Sequence, residues 1–208
     1  MGKWFPALYD AGMKGLENGM FKEIRKALLD KAEGIVLEIG SGSGINFPLY
    51  TKAERVDAIE PDPYMIERAA RRISEAKVPI LVHQQSAERL EFPDNAFDAA
   101  VATLVFCTIP DAELALKEIK RVLKPGAPIL FFEHVKMPQP SLATMQDILN
   151  PVWRRVCGGC NLNRDTASEI KKAGIHIEKT RTYYKGLFLA IECRNIEEMC
   201  ENTGIREW

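Results

Sequence analysis

The sequence predicts an α/β fold: a Rossmann-like, doubly wound sheet of about seven strands, mostly parallel, with one antiparallel strand near the C-terminus. Three observations carry that expectation. Five apolar, β-branched-rich segments alternate with helical segments between residues 35 and 135, and such alternation builds a parallel sheet covered on both faces. The first of these segments runs into Gly40-Ser41-Gly42-Ser43-Gly44, where missing Cβ atoms let the chain turn tightly and let a ligand approach the backbone. Near the C-terminus, two β-rich segments are separated only by Lys185-Gly186. They must pair as a hairpin, because parallel neighbours need a longer crossover.

The elements follow in order. Met13, Leu16, Met20, Phe21, Ile24, Leu28 and Leu29 form a helical apolar stripe interrupted by Gly12, Gly15 and Gly19, which predicts an N-terminal helical cap over residues 1–33. Its alternatives are a cover for one sheet face or a lid whose Tyr9 touches the ligand. Ile35 to Ile39 is the first buried strand, and a short helix over 47–52 follows the glycine loop. Arg55 to Glu60 is the second strand. Asp62-Pro63 caps a helix reaching Ala76, and Ile80-Leu81-Val82 is a short third strand. Phe97 to Leu104 has the small and apolar residues of a central strand, with Thr103 at its cleft end. A helix over 111–123 is stopped by Lys124-Pro125-Gly126, and Pro128 to Val135 is the fifth strand. From 136 to 164 the pattern becomes irregular, with a candidate helix around 141–150, and is expected to lie over the cleft on the acceptor side. Thr166 to Ala173 is a helix, and Ile175 to Tyr184 and Leu187 to Arg194 are the hairpin strands.

The loop chemistry narrows the ligand. A triphosphate loop needs Lys then Ser or Thr after its last glycine, and here Ile45-Asn46-Phe47 follows. A dinucleotide loop needs G-x-G-x-x-G, and here the third glycine arrives one residue early, at Gly44. Glu38 places a carboxylate at the strand end, which repels pyrophosphate and favours a cationic ligand. A ligand with an ammonium, a sulfonium and no phosphate fits, which describes S-adenosylmethionine. Glu60, 20 residues beyond Gly40, is placed to accept both hydroxyls of a ribose.

The chain has 208 residues, 46% of them hydrophobic, enough for one well-buried domain, which we expect to span 1–208. A net charge of −1, from 28 basic and 29 acidic residues, gives no long-range attraction to nucleic acid. No apolar run approaches the roughly 20 residues of a membrane span, and Met1-Gly2-Lys3-Trp4-Phe5-Pro6 lacks the apolar core of a signal peptide. Five cysteines without dense spacing fit reduced thiols, and a cytoplasmic location is expected.

Taken together, Val36-Leu37-Glu38-Ile39-Gly40-Ser41-Gly42-Ser43-Gly44, Glu60, Ser86-Ala87-Glu88-Arg89-Leu90 with Phe97-Asp98, and Arg121-Val122-Leu123-Lys124-Pro125-Gly126 resemble the class I S-adenosylmethionine-dependent methyltransferases. The resemblance covers residues 35 to 135 in order. It implies that Glu38 and the backbone of Gly40, Ser41, Gly42 and Gly44 hold the methionyl end, Glu60 the ribose and Ser86-Ala87 the adenine. Asn46, Pro61, Glu88 and Thr103 are expected along the same ligand, with S-adenosylhomocysteine as product. Many relatives carry Asp where this chain has Ser86. Within the superfamily, Thr103-Leu104-Val105, Phe132-Glu133-His134-Val135 and Gly159-Cys160-Asn161-Leu162-Asn163-Arg164 resemble alkyl-thiol S-methyltransferases and, more distantly, the ubiquinone/menaquinone-biosynthesis C-methyltransferases.

A small-molecule acceptor follows, with a thiol first and quinol-like or phospholipid-amine groups as alternatives. A nucleotide-dependent oxidoreductase and a non-catalytic adenosylmethionine-binding regulator are the readings from other classes. His134, at the carboxyl end of the fifth strand, is the candidate catalytic group; the alternative is a histidine that hydrogen-bonds the covering segment. Asn161 and Arg164 either orient an acceptor or tie that segment down. Cys157-Gly158-Gly159-Cys160 has no second Cys pair or His pair at finger spacing, so no metal site is expected from it. Cys160 lining the acceptor pocket is a further candidate role.

Overall fold

A computed structural model describes residues 19–196. In chain order the elements are α1 (Met20–Leu29), β1 (Gly34–Ile39), β2 (Ala53–Ile59), α2 (Pro63–Ser74), β3 (Ile80–His83), β4 (Ala99–Thr103), α3 (Ala112–Val122), β5 (Pro128–His134), α4 (Pro140–Val156), α5 (Thr166–Lys172), β6 (His176–Tyr183) and β7 (Phe188–Arg194). The seven strands form one sheet in the order β3-β2-β1-β4-β5-β7-β6. Its first five strands run parallel, and β7 lies antiparallel to both of its neighbours. The expected hairpin forms, but its reversed strand is β7, one place in from the edge, and β6 is the border. Burial explains the placement. Apolar Ala190, Ile191 and Cys193 of β7 are buried, whereas β6 carries Glu178, Lys179 and Arg181 along a mostly exposed edge, where charge discourages further strand pairing.

Strand periodicity sorts the core into two layers. Val36, Val56, Val101, Leu130 and Phe132 face α1 and α2, meeting Phe21, Ile24, Leu28 and Ala69. Leu37, Ile39, Ala100, Ala102, Ile129 and Phe131 face α3 and α5, meeting Leu116, Ile119, Val122 and Ile170. Aromatic edges reinforce the first layer, with Phe21 5.0 Å from Phe132 and 4.8 Å from Phe188.

The chain reverses its direction of travel across the sheet between β1, paired on one side with β2, and β4, paired on the other. A crevice outside the carboxyl ends of such strands is where ligands of this fold class bind. Two local expectations change. Only a single 3-10 turn, Phe47–Leu49, follows the glycine loop, so no α-helix starts there. The helix expected over 141–150 instead continues through Pro151 to Val156, because the carbonyls and side chains at its far end bind the next segment, Leu162 N–H donating to Asn150 Oδ1 at 2.8 Å.

Asn195 closes the sheet beyond β7. Its buried side-chain amide donates to the carbonyls of Lys120, Leu123 and Lys124, while its backbone pairs with Gly126 and Ala127. Removing that amide leaves buried carbonyls unpaired, so Asn195→Ala is expected to lower unfolding free energy by about 1–3 kcal/mol in urea titrations. A loss smaller than the lower figure would show that water replaces the amide.

Candidate active site

The three glycines of the loop after β1 all have positive φ: 60° at Gly40, 54° at Gly42 and 77° at Gly44. Their surroundings differ. A Cβ on Gly40 would come within 2.1 Å of Val105 Cγ2 and one on Gly44 within 2.5 Å of the Phe47 ring, but one on Gly42 would meet nothing within 4 Å. Gly40 and Gly44 are packed into the protein, and Gly42 opens on free space. The loop bends back on itself through Ser41 N–H to Ile59 O at 3.0 Å and Gly44 N–H to Ser41 O at 2.9 Å.

Glu60, just past β2, is buried and anchors this loop. Gly42 N–H donates to its Oε2 at 2.9 Å and Asp62 N–H to its Oε1 at 3.0 Å. Burial raises its pKa despite those two bonds. Each carboxylate oxygen retains further acceptor capacity.

Glu38 and Thr103 fall on the α1 face of β1 and β4 by the period-2 rule, and both meet α1 there. Asn46 Nδ2 donates to Glu38 Oε1 at 2.9 Å and lies 3.0 Å from Thr103 Oγ1. Arg25 Nη1 donates to Asn46 Oδ1 at 3.0 Å and also contacts Thr103 Oγ1. The guanidinium carbon sits 5.8 Å from the centre of the Phe132 ring. Tyr50 stands against Glu38, yet neither its hydroxyl nor Glu38 Oε2 completes a hydrogen bond of normal geometry. Burial pushes the Glu38 carboxyl up to about 7, opposed by Tyr50, Asn46 and Arg25.

Sequence reasoning passed over Arg25. Its signal was present: Phe21, Ile24, Arg25 and Leu28 occupy one helical face, and all four are buried. A cation on an apolar stripe needs a buried partner.

The adenine-side candidates lie together after β3. Ser86 hydroxyl contacts Glu88 Oε2, and Glu88 Oε1 accepts from Asp111 N–H at 3.2 Å. These side chains therefore join the loop to the start of α3, and Ala87 is buried beside them. The carbonyl of Pro61 accepts from Gln84 Nε2 at 3.4 Å. Tyr9 lies outside the described residues.

On the other side of the cleft, Leu104 takes a positive φ of 54° just after β4. Such a conformation in a leucine needs outside support. Leu104 N–H donates to Phe132 O at 2.7 Å, and the buried Glu133 Oε1 accepts from Val105 and Phe106 N–H at 3.1 and 3.2 Å. Glu133 Oε2 has no partner, and burial pushes this carboxyl up to about 7. The segment after α4 is then latched onto the same loop. Asn161 donates to Cys107 O from both its backbone and side chain at 2.8 Å, and Arg164 Nη1 reaches Phe106 O and Ile109 O, each at 2.8 Å. Asn161 and Arg164 thus tie the covering segment down.

The latch brings Cys160 to His134, with Nε2 3.1 Å from Sγ, and Trp153 Nε1 donates to the same sulfur at 3.2 Å. The ligand atoms of Cys107, His134 and Cys160 lie within 4.8 Å of one another. Hydrogen bonding from Cys107 foremost, and from His134, holds the Cys160 thiol below the usual range, while Cys107 is pushed up. At His134 burial acts downward, but the bond and charge of Cys160 together with Glu133 outweigh it and the net shift is upward. Cys160 and His134 accordingly form a hydrogen-bonded thiol–imidazole pair whose opposite shifts both favour the proton on the imidazole. Cys157 stands outside this cluster, at the C-terminus of α4.

A model of the "Methyltransferase domain" family matches residues 37–132. Rat thiol S-methyltransferase TMT1B is 32% identical over 77% of this chain and 68% of its own length. The chain belongs to the class I S-adenosylmethionine-dependent methyltransferases. Human thiol S-methyltransferase TMT1A is 29% identical over 82% of this chain and 75% of its own. The crystal structure of an S-adenosylmethionine-dependent methyltransferase from Aquifex aeolicus superposes with a TM-score of 0.68 at 19% identity, covering 94% of this chain and 100% of that one, and so shows the shared fold. S-adenosylmethionine is the methyl donor of this methyltransferase.

The two buried carboxyls set a pH dependence. Glu38 and Glu133 rise from an ordinary 4.5 to about 7 on folding, so between those values the folded ligand-free chain binds more protons than the unfolded one. Their contribution to stability is full below about pH 4.5 and is lost as pH rises through about 7. The loss is on the order of 3 kcal/mol for each group. Urea titrations from about pH 5 to about pH 8 are expected to show stability falling, with a shallower fall in the Glu38→Gln/Glu133→Gln double variant. An unchanged slope in that variant would assign the effect elsewhere.

Proposed function

We propose that this methyltransferase transfers its methyl group to a small thiol, received beside His134 and Cys160. The observation that carries the reading is that the glycine loop after β1 packs through Gly40 against Val105 of the loop after β4, the loop that also carries Cys107 toward the His134–Cys160 contact under a latched cover. The names of the rat and human relatives, both thiol S-methyltransferases, support the same acceptor class.

The residues fit the donor. Gly42 opens on space that a ligand can occupy against bare backbone, and Glu60 faces the loop with acceptor capacity for ribose hydroxyls. Glu38 favours the ammonium and sulfonium end, its carboxylate held in place by Asn46, whose amide also meets Thr103. Because Ser86 and Glu88 are bonded to each other, the adenine is read by backbone around Ser86 and Ala87. S-adenosylmethionine, when bound, supplies an electrophilic methyl carbon and a neutral leaving group.

The chain's own contribution is positioning and exclusion of water, which can account for about 7–11 kcal/mol of a barrier. His134 contributes a hydrogen-bonding group rather than a free base, since its Nε2 is engaged by Cys160. A thiol of ordinary pKa about 8.5 is already a few per cent thiolate near neutrality, and a neighbouring cation raises that fraction. Cys107, Cys157, Cys160 and Cys193 are free thiols, which suits the cytoplasm. Among the described residues no helix is long and apolar enough to cross a membrane.

Turnover with labelled methyl donor across small thiols, amines and quinols is expected to favour thiols, and preference for an amine or quinol would overturn the acceptor assignment. Glu60→Ala is expected to weaken S-adenosylmethionine binding by about 1–3 kcal/mol by calorimetry. Unchanged affinity would remove Glu60 from the ribose site.

A further inference from the structure

We propose that Cys107, His134 and Cys160 form a three-ligand site for a soft divalent cation, zinc, whose fourth position is open to a thiol. The three donors come from separate parts of the chain: the loop after β4, the end of β5 and the segment latched over both. Neighbouring cysteine spacing conceals this arrangement, since Cys157 of the Cys-Gly-Gly-Cys stretch is not one of the donors.

The ligand set and its dimensions agree with zinc. Two cysteine sulfurs and one imidazole nitrogen, plus one exchangeable position, match the composition of open tetrahedral zinc sites. With Zn–S near 2.3 Å and Zn–N near 2.0–2.1 Å, tetrahedral donors stand about 3.5–3.8 Å apart. The three donor atoms lie within 4.8 Å of one another, and His134 Nε2 to Cys160 Sγ is 3.1 Å, so the metal requires only a small opening of that pair.

The supports around the donors are already built. Glu133 and the Leu104–Phe132 backbone bond fix the loop that carries Cys107. Asn161, next to Cys160, donates twice to the carbonyl of Cys107 itself. Trp153 N–H donates to Cys160 Sγ at 3.2 Å, an outer contact suited to a metal-bound thiolate. Cys107 is buried, whereas His134 and Cys160 are only half-buried, which leaves the site approachable from the His134–Cys160 side.

Binding replaces protons by metal. Zinc takes both cysteines as thiolates and His134 as neutral imidazole, and the displaced protons pass to solvent. A thiol entering the fourth position likewise gives up its proton and is held as a thiolate. No oxidation or reduction is involved. Only this fourth ligand rests on the thiol-acceptor reading; the three-residue site does not.

The test uses the full chain, purified reduced after growth with zinc, and two readouts independent of turnover. Plasma mass spectrometry is expected to find about one zinc per chain, and Co2+ exchange to give the visible bands and thiolate charge transfer of a tetrahedral site. Cys107→Ser, His134→Ala and Cys160→Ser should each weaken zinc binding by at least roughly 10–100-fold, while Cys157→Ser keeps it. Calorimetry with S-adenosylhomocysteine identifies variants that remain folded. Adding a small thiol to the Co2+ form should change its charge-transfer band. Absence of metal in the parent chain and failure of added zinc or Co2+ to bind would overturn the site, as would equal loss in Cys157→Ser and Cys160→Ser. Metal binding with no spectral response to thiols would overturn the open fourth position. Metal binding with a thiol response, but turnover confined to amines or quinols, would sustain the site and sink the acceptor assignment.

Discussion

The burial of Glu38 is the constraint on which the glycine-loop half of the structure depends. A carboxylate removed from water needs hydrogen bonds or a nearby cation, and this one draws three elements together to obtain them. Asn46 from the glycine loop bonds it, Arg25 from α1 holds Asn46, and Thr103 from β4 joins both. The network fixes where the loop leaves β1 and where α1 crosses the sheet. It also leaves a carboxyl that burial pushes up to about 7.

A second buried carboxylate organises the loop after β4 by similar physics. Glu133 points the other way from β5, into the turn after β4, and supports the backbone of Val105 and Phe106 beside a leucine in the left-handed region. Asn161 and Arg164 then fasten the covering segment to carbonyls of that turn. Cys107 and His134 end neighbouring strand regions, but Cys160 joins them only because this latch exists. The cluster of Cys107, His134 and Cys160 is therefore a product of loop packing, and the glycine loop and its carboxylates are a product of strand ends.

Much of the fold was legible because parallel strands and their helices repeat a simple pattern. The run from Ile35 to Val135 shows it, and the β elements there differ from expectation by a few residues at their ends. Placement within the sheet was harder. The hairpin could be read from Lys185-Gly186, yet which of its strands pairs with β5 depended on burying Ala190 and Ile191 while leaving the charges of β6 at the edge. Pro151 falls inside α4, where neighbouring contacts hold the turn despite the missing N–H.

By itself the sequence determined the glycine loop and the carboxylates that flank it. Gly40, Gly42 and Gly44 with Glu38 and Glu60 lie in or beside short strand-to-loop turns, where local spacing fixes backbone conformation and the position of charge. Tertiary structure alone decided that Arg25 is part of the Glu38 network, that Asn161 and Arg164 are latches, and that Cys160 meets His134 and Cys107 rather than acting with Cys157. The physical reason is separation along the chain. Those residues are 21 to 78 positions from some of their partners, and no periodicity reaches across a sheet.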